Sequence, residues 1–186
     1  MVTTNVLASK SGQSLIDSLK KELKSVKNDS VRANFYYNIA YNYDMIDPKV
    51  GASYARKAIA LADSLGYRLE KAWGLNALAI NLVELSDYPA ANSAYQQSLQ
   101  LFDELGKREP FARVLVNRGT LFKTQSLYPD ALDCYQQALD VFKSLGKEIE
   151  VASIMVNIGN IYGGLGDHAS AITYFVDALD QIGSEG

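Results

Sequence analysis

Apolar residues in this chain recur at steps of three and four. Met155, Ile158, Gly159 and Tyr162 form one such series, and Ala171, Phe175, Ala178 and Leu179 form a second. Each series fills one face of an amphipathic helix. Between them stands Gly163-Gly164-Leu165-Gly166-Asp167, a cluster of turn-forming residues. No stretch alternates apolar and polar positions at period two, so the pattern predicts helices joined by short turns and no sheet.

The pattern also repeats. Gly66, Gly106, Gly146 and Gly186 stand at a constant interval of 40 residues, and the first three close the phrases ADSLGYR, FDELGKR and FKSLGKE. The segment SDYPAANSAYQQSLQLFDELGK (86–107) matches SLYPDALDCYQQALDVFKSLGK (126–147), and VLVNRGTLF (114–122) matches IMVNIGNIY (154–162). Each unit reads as two helices. The inter-helix breaks fall at Ser86-Asp87-Tyr88-Pro89 and Ser126-Leu127-Tyr128-Pro129, where proline suits a first helical turn because its missing N–H has no partner there. The glycine of each LG phrase suits the left-handed residue that ends a helix. Small residues recur on the first helices (Ala40, Ala79, Gly119, Gly159) and on the second (Ala91, Ala131, Ala171), with large ones beside them: Tyr43, Leu82, Phe122 and Tyr162, then Tyr95, Tyr135 and Phe175. A missing side chain lets a partner helix approach. A lone pair of such helices leaves half its apolar surface wet, and stacking copies buries it.

This order of small, aromatic and alanine positions resembles the tetratricopeptide (TPR) repeat. It is fullest in Met155-x-x-Ile158-Gly159-x-x-Tyr162 followed by Ala171-x-x-x-Phe175-x-x-Ala178, and the resemblance covers residues 29–186. The usual unit has about 34 residues, and these are longer by roughly one and a half helical turns. With the LG phrase, that length resembles the extended subclass found in the spindle adaptor LGN/Pins, kinesin light chain, Rap regulators, and the TPR arrays of bacterial sensor kinases and adenylate cyclases. The resemblance implies an all-α, right-handed α-solenoid of about four TPR hairpins at 28–67, 68–107, 108–147 and 148–186. The first copy departs from the others with Gly51 in place of alanine and Ala55 in place of an aromatic, and its turn at Asp47-Pro48 is one residue shorter. The second has Ala79 and Leu82 for the glycine and aromatic. Because the flanking spacing survives, these read as tolerated drift.

Upstream, Leu15, Ile16, Leu19, Leu23 and Val26 line one face of a helix that Ser14 and Asp17 would open as a capping box. We read an N-terminal capping helix over 11–27, preceded by a disordered tail over 1–10. No comparable cap follows the last repeat. This predicts either a fragment of a longer protein or a copy that pairs through the last repeat, with Phe175, Val176 and Leu179 unprotected.

Composition removes other classes. The chain has 186 residues, 48% hydrophobic and 21% charged, with a formal net charge of −3, so it lacks the basic stripe that nucleic acid requires. No apolar run approaches the roughly 20 residues of a membrane span. Residues 1–10 lack the core of a signal peptide, which favours a cytoplasmic setting, or a periplasmic one if a targeting segment has been removed. Cys134 is the single cysteine and His168 the single histidine, so neither a disulfide nor a two-histidine metal site forms within one chain. Cys134 reads as a structural thiol, and His168 takes the turn position of Tyr88 and Tyr128. The loose G-x-G-x-x-A run at Gly164–Ala169 follows a helix rather than a strand and is no dinucleotide fingerprint. We expect no cofactor and no catalysis.

A polar stripe is the informative feature. Asn38, Asn117 and Asn157 are equivalent on three first helices, and Asn76 is displaced by one on the other. Asparagine costs about half a kcal/mol more than alanine in a helix interior, so its repetition calls for a compensating hydrogen bond. Four residues earlier stand Asn34, Trp73, Arg113 and Ser153, and three later Tyr41, Ile80, Thr120 and Asn160 share the face. In the TPR family that face lines a concave groove, and the pair Arg113–Asn117 resembles the arginine–asparagine pairs with which extended TPR adaptors grip peptides. Amides can clamp a peptide backbone, Arg113 can orient a carboxylate, and Trp73, Tyr37 and Tyr41 can anchor apolar groups. The asparagines can equally bond to the neighbouring repeat and fix the stack. The reading is a protein- or peptide-binding scaffold, the interaction or sensory part of a larger bacterial signalling protein. The alternative is a self-association module that dimerises through its last repeat.

Overall fold

A computed structural model describes the backbone of residues 2–183 and the side chains of residues 12–182. In order the helices are α1 (Val2–Leu23), α2 (Asp29–Asn42), α3 (Pro48–Ser64), α4 (Arg68–Glu84), α5 (Tyr88–Glu104), α6 (Arg108–Thr124), α7 (Tyr128–Ser144), α8 (Glu148–Gly164) and α9 (His168–Gly183). There is no strand among the described residues. The expected helical hairpins are therefore present, with α4, α6 and α8 starting at a constant 40-residue interval. Gly186, the last glycine of the series, lies outside the described residues. The chain forms two compact units, Met1–Leu105 with α1 to α5 and Gly106–Gly186 with α6 to α9.

The turns repeat as faithfully as the helices. Gly66, Gly106 and Gly146 adopt φ of 69°, 63° and 63°. At Gly66 the N–H of Tyr67 reaches back to the Ala62 carbonyl at 2.8 Å and that of Gly66 to Asp63 at 3.3 Å. These two hydrogen bonds, from the left-handed glycine and the residue after it, satisfy carbonyls that a helix end otherwise leaves bare. Three intra-hairpin turns use the same device with Ser86, Ser126 and Gly166 at positive φ, while the shorter turn between α2 and α3 does not. Asp47, Asp87 and Asp167 then cap the following helices, accepting from the N–H of Val50, Ala90 and Ser170 at 3.2, 3.3 and 3.1 Å. Leu127 holds this position before α7 without a side-chain cap. We expect Leu127→Asn to raise unfolding free energy by about 0.5–1 kcal/mol in a urea titration. Asparagine is preferred to aspartate because Asp130 already stands in the first turn; no gain would mean the cap contributes nothing here.

In the first unit, α2 packs on α3 and directly on α4. Ala40, Ala55 and Ala77 meet there, all buried, with Tyr37, Tyr41 and Tyr54 packed around them. Those rings fill the space that Ala55 leaves in place of an aromatic. Helix α1 buries Ile16 against Ile39 and Tyr43, with Leu19 and Leu23 alongside, and Lys20 donates to the Tyr43 hydroxyl. Helix α1 has other limits than the 11–27 expected for a capping helix. It begins at Val2 and ends at Leu23, so Ser14 lies mid-helix rather than at an N-cap, and the backbone expected as a tail over 1–10 is helical from Val2. The helix runs back through Gly12, whose Cα faces the Ile46 side chain; side chains before it lie outside the described residues. Leu15 is exposed and Val26 lies beyond the helix end.

Gly51 is not drift. A Cβ on it would lie 1.8 Å from Oδ1 of Asn81. Asn81 is completely buried in α4, and its Nδ2 donates to the carbonyls of Ala40 at 3.0 Å and Ala77 at 2.8 Å, tying α4 to α2. Its Oδ1 has no conventional donor and faces the glycine backbone. Only a residue without a side chain permits that approach.

In the second unit, α6 packs on α7, α7 on α8 and α8 on α9. The small-residue seam has the expected cause. A Cβ on Gly119 would meet the Tyr135 ring at 2.7 Å, and one on Gly159 the Phe175 ring at 2.7 Å. Each glycine of a first helix receives the aromatic of its own second helix. Cys134 is buried among these residues.

Candidate functional site

In the first unit the predicted residues fall on α2 and α4. Tyr37 stacks on Trp73 with ring centres 6.2 Å apart, and meets Tyr41 edge-on at 6.2 Å. Trp73 rests in turn on Phe102 at 4.9 Å. Tyr37 and Trp73 remain half-buried, presenting an apolar strip with one side packed and the other open. Asn38 is exposed beside them; its Nδ2 donates to the Asn34 carbonyl four residues back at 2.8 Å, which leaves its Oδ1 as an outward acceptor. Asn34 is half-buried. Burial raises the Tyr37 phenol above its ordinary value, with the Glu70 charge adding to it. It raises Tyr41 further, against the lowering effect of the Asn76 bond. Both tyrosines are thus neutral hydrogen-bonding groups under any physiological condition.

Asn76 is different. It is buried and donates its amide to the Tyr41 hydroxyl. One residue of displacement turns a side chain by about 100° around a helix, so Asn76 points into the repeat junction while the other asparagines point out. Its amide serves the α2–α4 contact.

In the second unit the residues fall on α6 and α8. The Arg113 guanidinium donates to Glu109 and to Glu150, both at 2.9 Å, and Lys147 adds a contact to Glu109 at 3.6 Å. Two carboxylates of the chain itself therefore occupy the group expected to orient a ligand carboxylate. The Arg113 bond, then Lys147, holds the Glu109 carboxyl below its usual range. Asn157 accepts from Lys123 at 3.0 Å across α6 and α8, and its Nδ2 donates to the Ser153 carbonyl at 3.3 Å. Thr120 bonds to the Val116 carbonyl and to the hydroxyl of buried Tyr135, each at 3.0 Å. Asn117 is half-buried on the same face, and Ser153 and Asn160 are exposed there.

Nine of the twelve predicted residues thus separate into two groups. Asn76, Arg113, Thr120 and Asn157 are engaged in bonds that tie helices together. Tyr37, Asn38, Trp73, Ser153 and Asn160 keep open surface or polar capacity toward solvent. Sequence reasoning overlooked Glu109, Glu150 and Lys123, which complete the second unit's network. It also overlooked Asn81, which was visible as a polar residue where the later copies carry Leu121 and Ile161.

Reactive chemistry is sparse. Among the described residues no three His, Cys, Asp or Glu side chains gather in a metal-binding group, and no described helix is long and apolar enough to cross a membrane. Burial pushes the Cys134 thiol up, against the lowering effect of Arg118, away from the thiolate a nucleophile requires.

Hairpins of constant length, joined by left-handed turns and stacked through small residues, define a helical-repeat protein. The family model of the tetratricopeptide repeat matches residues 110–181, and the chain has the fold of TPR-type helical-repeat proteins. No curated protein matches it in sequence. Among solved structures it is similar to BtubC (BKLC) from P. vanneervenii, with 19% identity and a TM-score of 0.76 over 95% of this chain and 74% of that one. It is also similar to aspartyl phosphate phosphatase F from Bacillus subtilis, with 21% identity and a TM-score of 0.81 over 98% of this chain and 52% of that one. A third is the Rap conjugation gene regulator of the plasmid pLS20, in complex with the Phr peptide, with 16% identity and a TM-score of 0.78 over 96% and 49%. At these identities the likeness concerns the fold. The chain spans about half the length of the last two.

Proposed function

We propose that this chain is a non-catalytic scaffold that captures an extended peptide or protein segment on the outward faces of its first helices, as the interaction or sensory region of a larger bacterial signalling protein. The observation that carries the reading is the half-open Tyr37–Trp73 stack beside the outward amide oxygen of Asn38. An aromatic pair held from behind by Phe102 offers a large anchor at little entropic cost, and an amide reads any peptide backbone without demanding a sequence. In the second unit Ser153 and Asn160 offer the same neutral chemistry. The peptide complex of the similar Rap regulator supports this use of the fold. The phosphatase named for another similar structure is not carried over, since at 21% identity the likeness concerns the fold.

Trp73 is the only tryptophan, so its emission reports directly on the first unit's face. A peptide selected from a display library against the chain should change that emission saturably. Asn38→Ala should weaken its binding by about 1 kcal/mol, near fivefold. Binding that leaves the emission and the variant's affinity unchanged would remove this face from consideration.

A further inference from the structure

We propose that the peptide held by the first unit presents an arginine, whose guanidinium lies against the open side of the Tyr37–Trp73 stack and pairs with Glu70. This rests on the scaffold reading above and specifies its ligand. Glu70 stands one turn before Trp73 on α4, on the same side of the helix. It is half-buried, and its Oε1 accepts from the Ser30 hydroxyl of α2 at 2.6 Å, which pins the carboxylate beside the rings. Its charge is near enough to help raise the Tyr37 phenol. The basic residues next to it in sequence are engaged elsewhere, Arg68 with Glu104 and Lys71 with Asp63. Arg32 of α2 is held by Asp29 at 2.9 Å. Among the described residues no lysine or arginine forms an ion pair with Glu70. The cations that stack on rings in this unit, Lys20 and Lys57, lie over Tyr43 and Tyr54 rather than over Tyr37 or Trp73.

The second unit shows what fits such a carboxylate. Glu150 holds the place of Glu70 two copies later. It accepts from Arg113 at 2.9 Å, and the same guanidinium lies 6.0 Å from the centre of the Phe142 ring. At this place in the repeat, a carboxylate therefore takes an arginine that also rests on an aromatic. Allowing for the residue by which the first copy's turn is shorter, Asn34 stands to Glu70 as Arg113 stands to Glu150. Asparagine carries no charge, so the first unit keeps the carboxylate and the rings without the cation. A guanidinium from a ligand supplies it. Its plane stacks on Tyr or Trp, it sheds water more readily than an ammonium, and its N–H groups remain free at the edge to reach a carboxylate. The formal net charge of −3 favours the approach of such a ligand.

Peptides selected from a display library against the 186-residue chain are the probes. They should share an arginine. Replacing it with citrulline, which keeps the shape and removes the charge, should weaken binding at least about tenfold. Glu70→Gln, whose amide oxygen can still accept from Ser30, should cost the same factor and abolish the difference between the two peptides. Asn34→Arg should fill the site from within, as Arg113 does for Glu150, and weaken the arginine peptide by a similar factor with circular dichroism unchanged. Selected peptides that shift the Trp73 emission yet lack arginine would overturn the proposal while leaving the scaffold reading in place. So would an arginine peptide that binds Glu70→Gln as tightly as the parent. A library that yields no binder would remove both.

Discussion

Gly51→Ala should lower the unfolding free energy by about 2–3 kcal/mol, although alanine is intrinsically the better helix former. The new methyl would occupy the place of Asn81 Oδ1. That amide cannot retreat without giving up its bonds to Ala40 and Ala77 and leaving polar atoms unpaired in a dry seam. Replacing both partners should reverse the loss. In the second unit the equivalent positions are Ala131 and Ile161, both buried, so Gly51→Ala combined with Asn81→Leu rebuilds an apolar junction the repeat already uses. We expect the double variant within about 1 kcal/mol of the parent, a coupling well beyond the 0.5 kcal/mol or so by which independent sites deviate from additivity. Urea unfolding of the four proteins measures it. Simple addition of the two single effects would show that Gly51 and Asn81 are not a matched pair.

The largest effect on binding is expected at Trp73. Trp73→Ala should weaken a selected peptide by at least about 2 kcal/mol, near thirtyfold, because it removes the open ring and lets Tyr37 lose its stacking partner. The substitution also uncovers Phe102, so part of its effect is on stability. Trp73→Phe separates the two: it keeps an aromatic on Phe102 yet offers less face to a ligand. Titration calorimetry below the unfolding transition should show intermediate affinity for the phenylalanine variant. Equal affinity of all three proteins would make Trp73 a packing residue only.

The repeat and its turns were legible in the sequence because they depend on residue type at fixed spacing. Glycine at 66, 106 and 146 announces a left-handed turn whatever surrounds it, and Gly119 and Gly159 announce a ring packed above them. Ile16, Leu19 and Leu23 mark the packed face of α1 but not its start, since nothing stops a helix from continuing upstream of the residues that anchor it. What the sequence could not give was pairing between positions distant in the chain. Gly51 and Asn81 each looked like an isolated departure, and only their proximity makes them one feature. Arg113 looked available because Glu150, 37 residues away, is invisible to a reading along one helix. Asn76 is the converse: its one-residue displacement was visible, and the rotation it implies turns that amide inward.

The most direct test of the scaffold reading is a nitrogen-resolved NMR titration with a selected peptide, following the side-chain amides and the single indole. The signals of Trp73, Asn34 and Asn38 are expected to move with peptide while those of buried Asn76 and Asn81 stay in place. Shifts confined to residues of α3, α5, α7 or α9, with the Trp73 indole and the exposed asparagines unmoved, would contradict it.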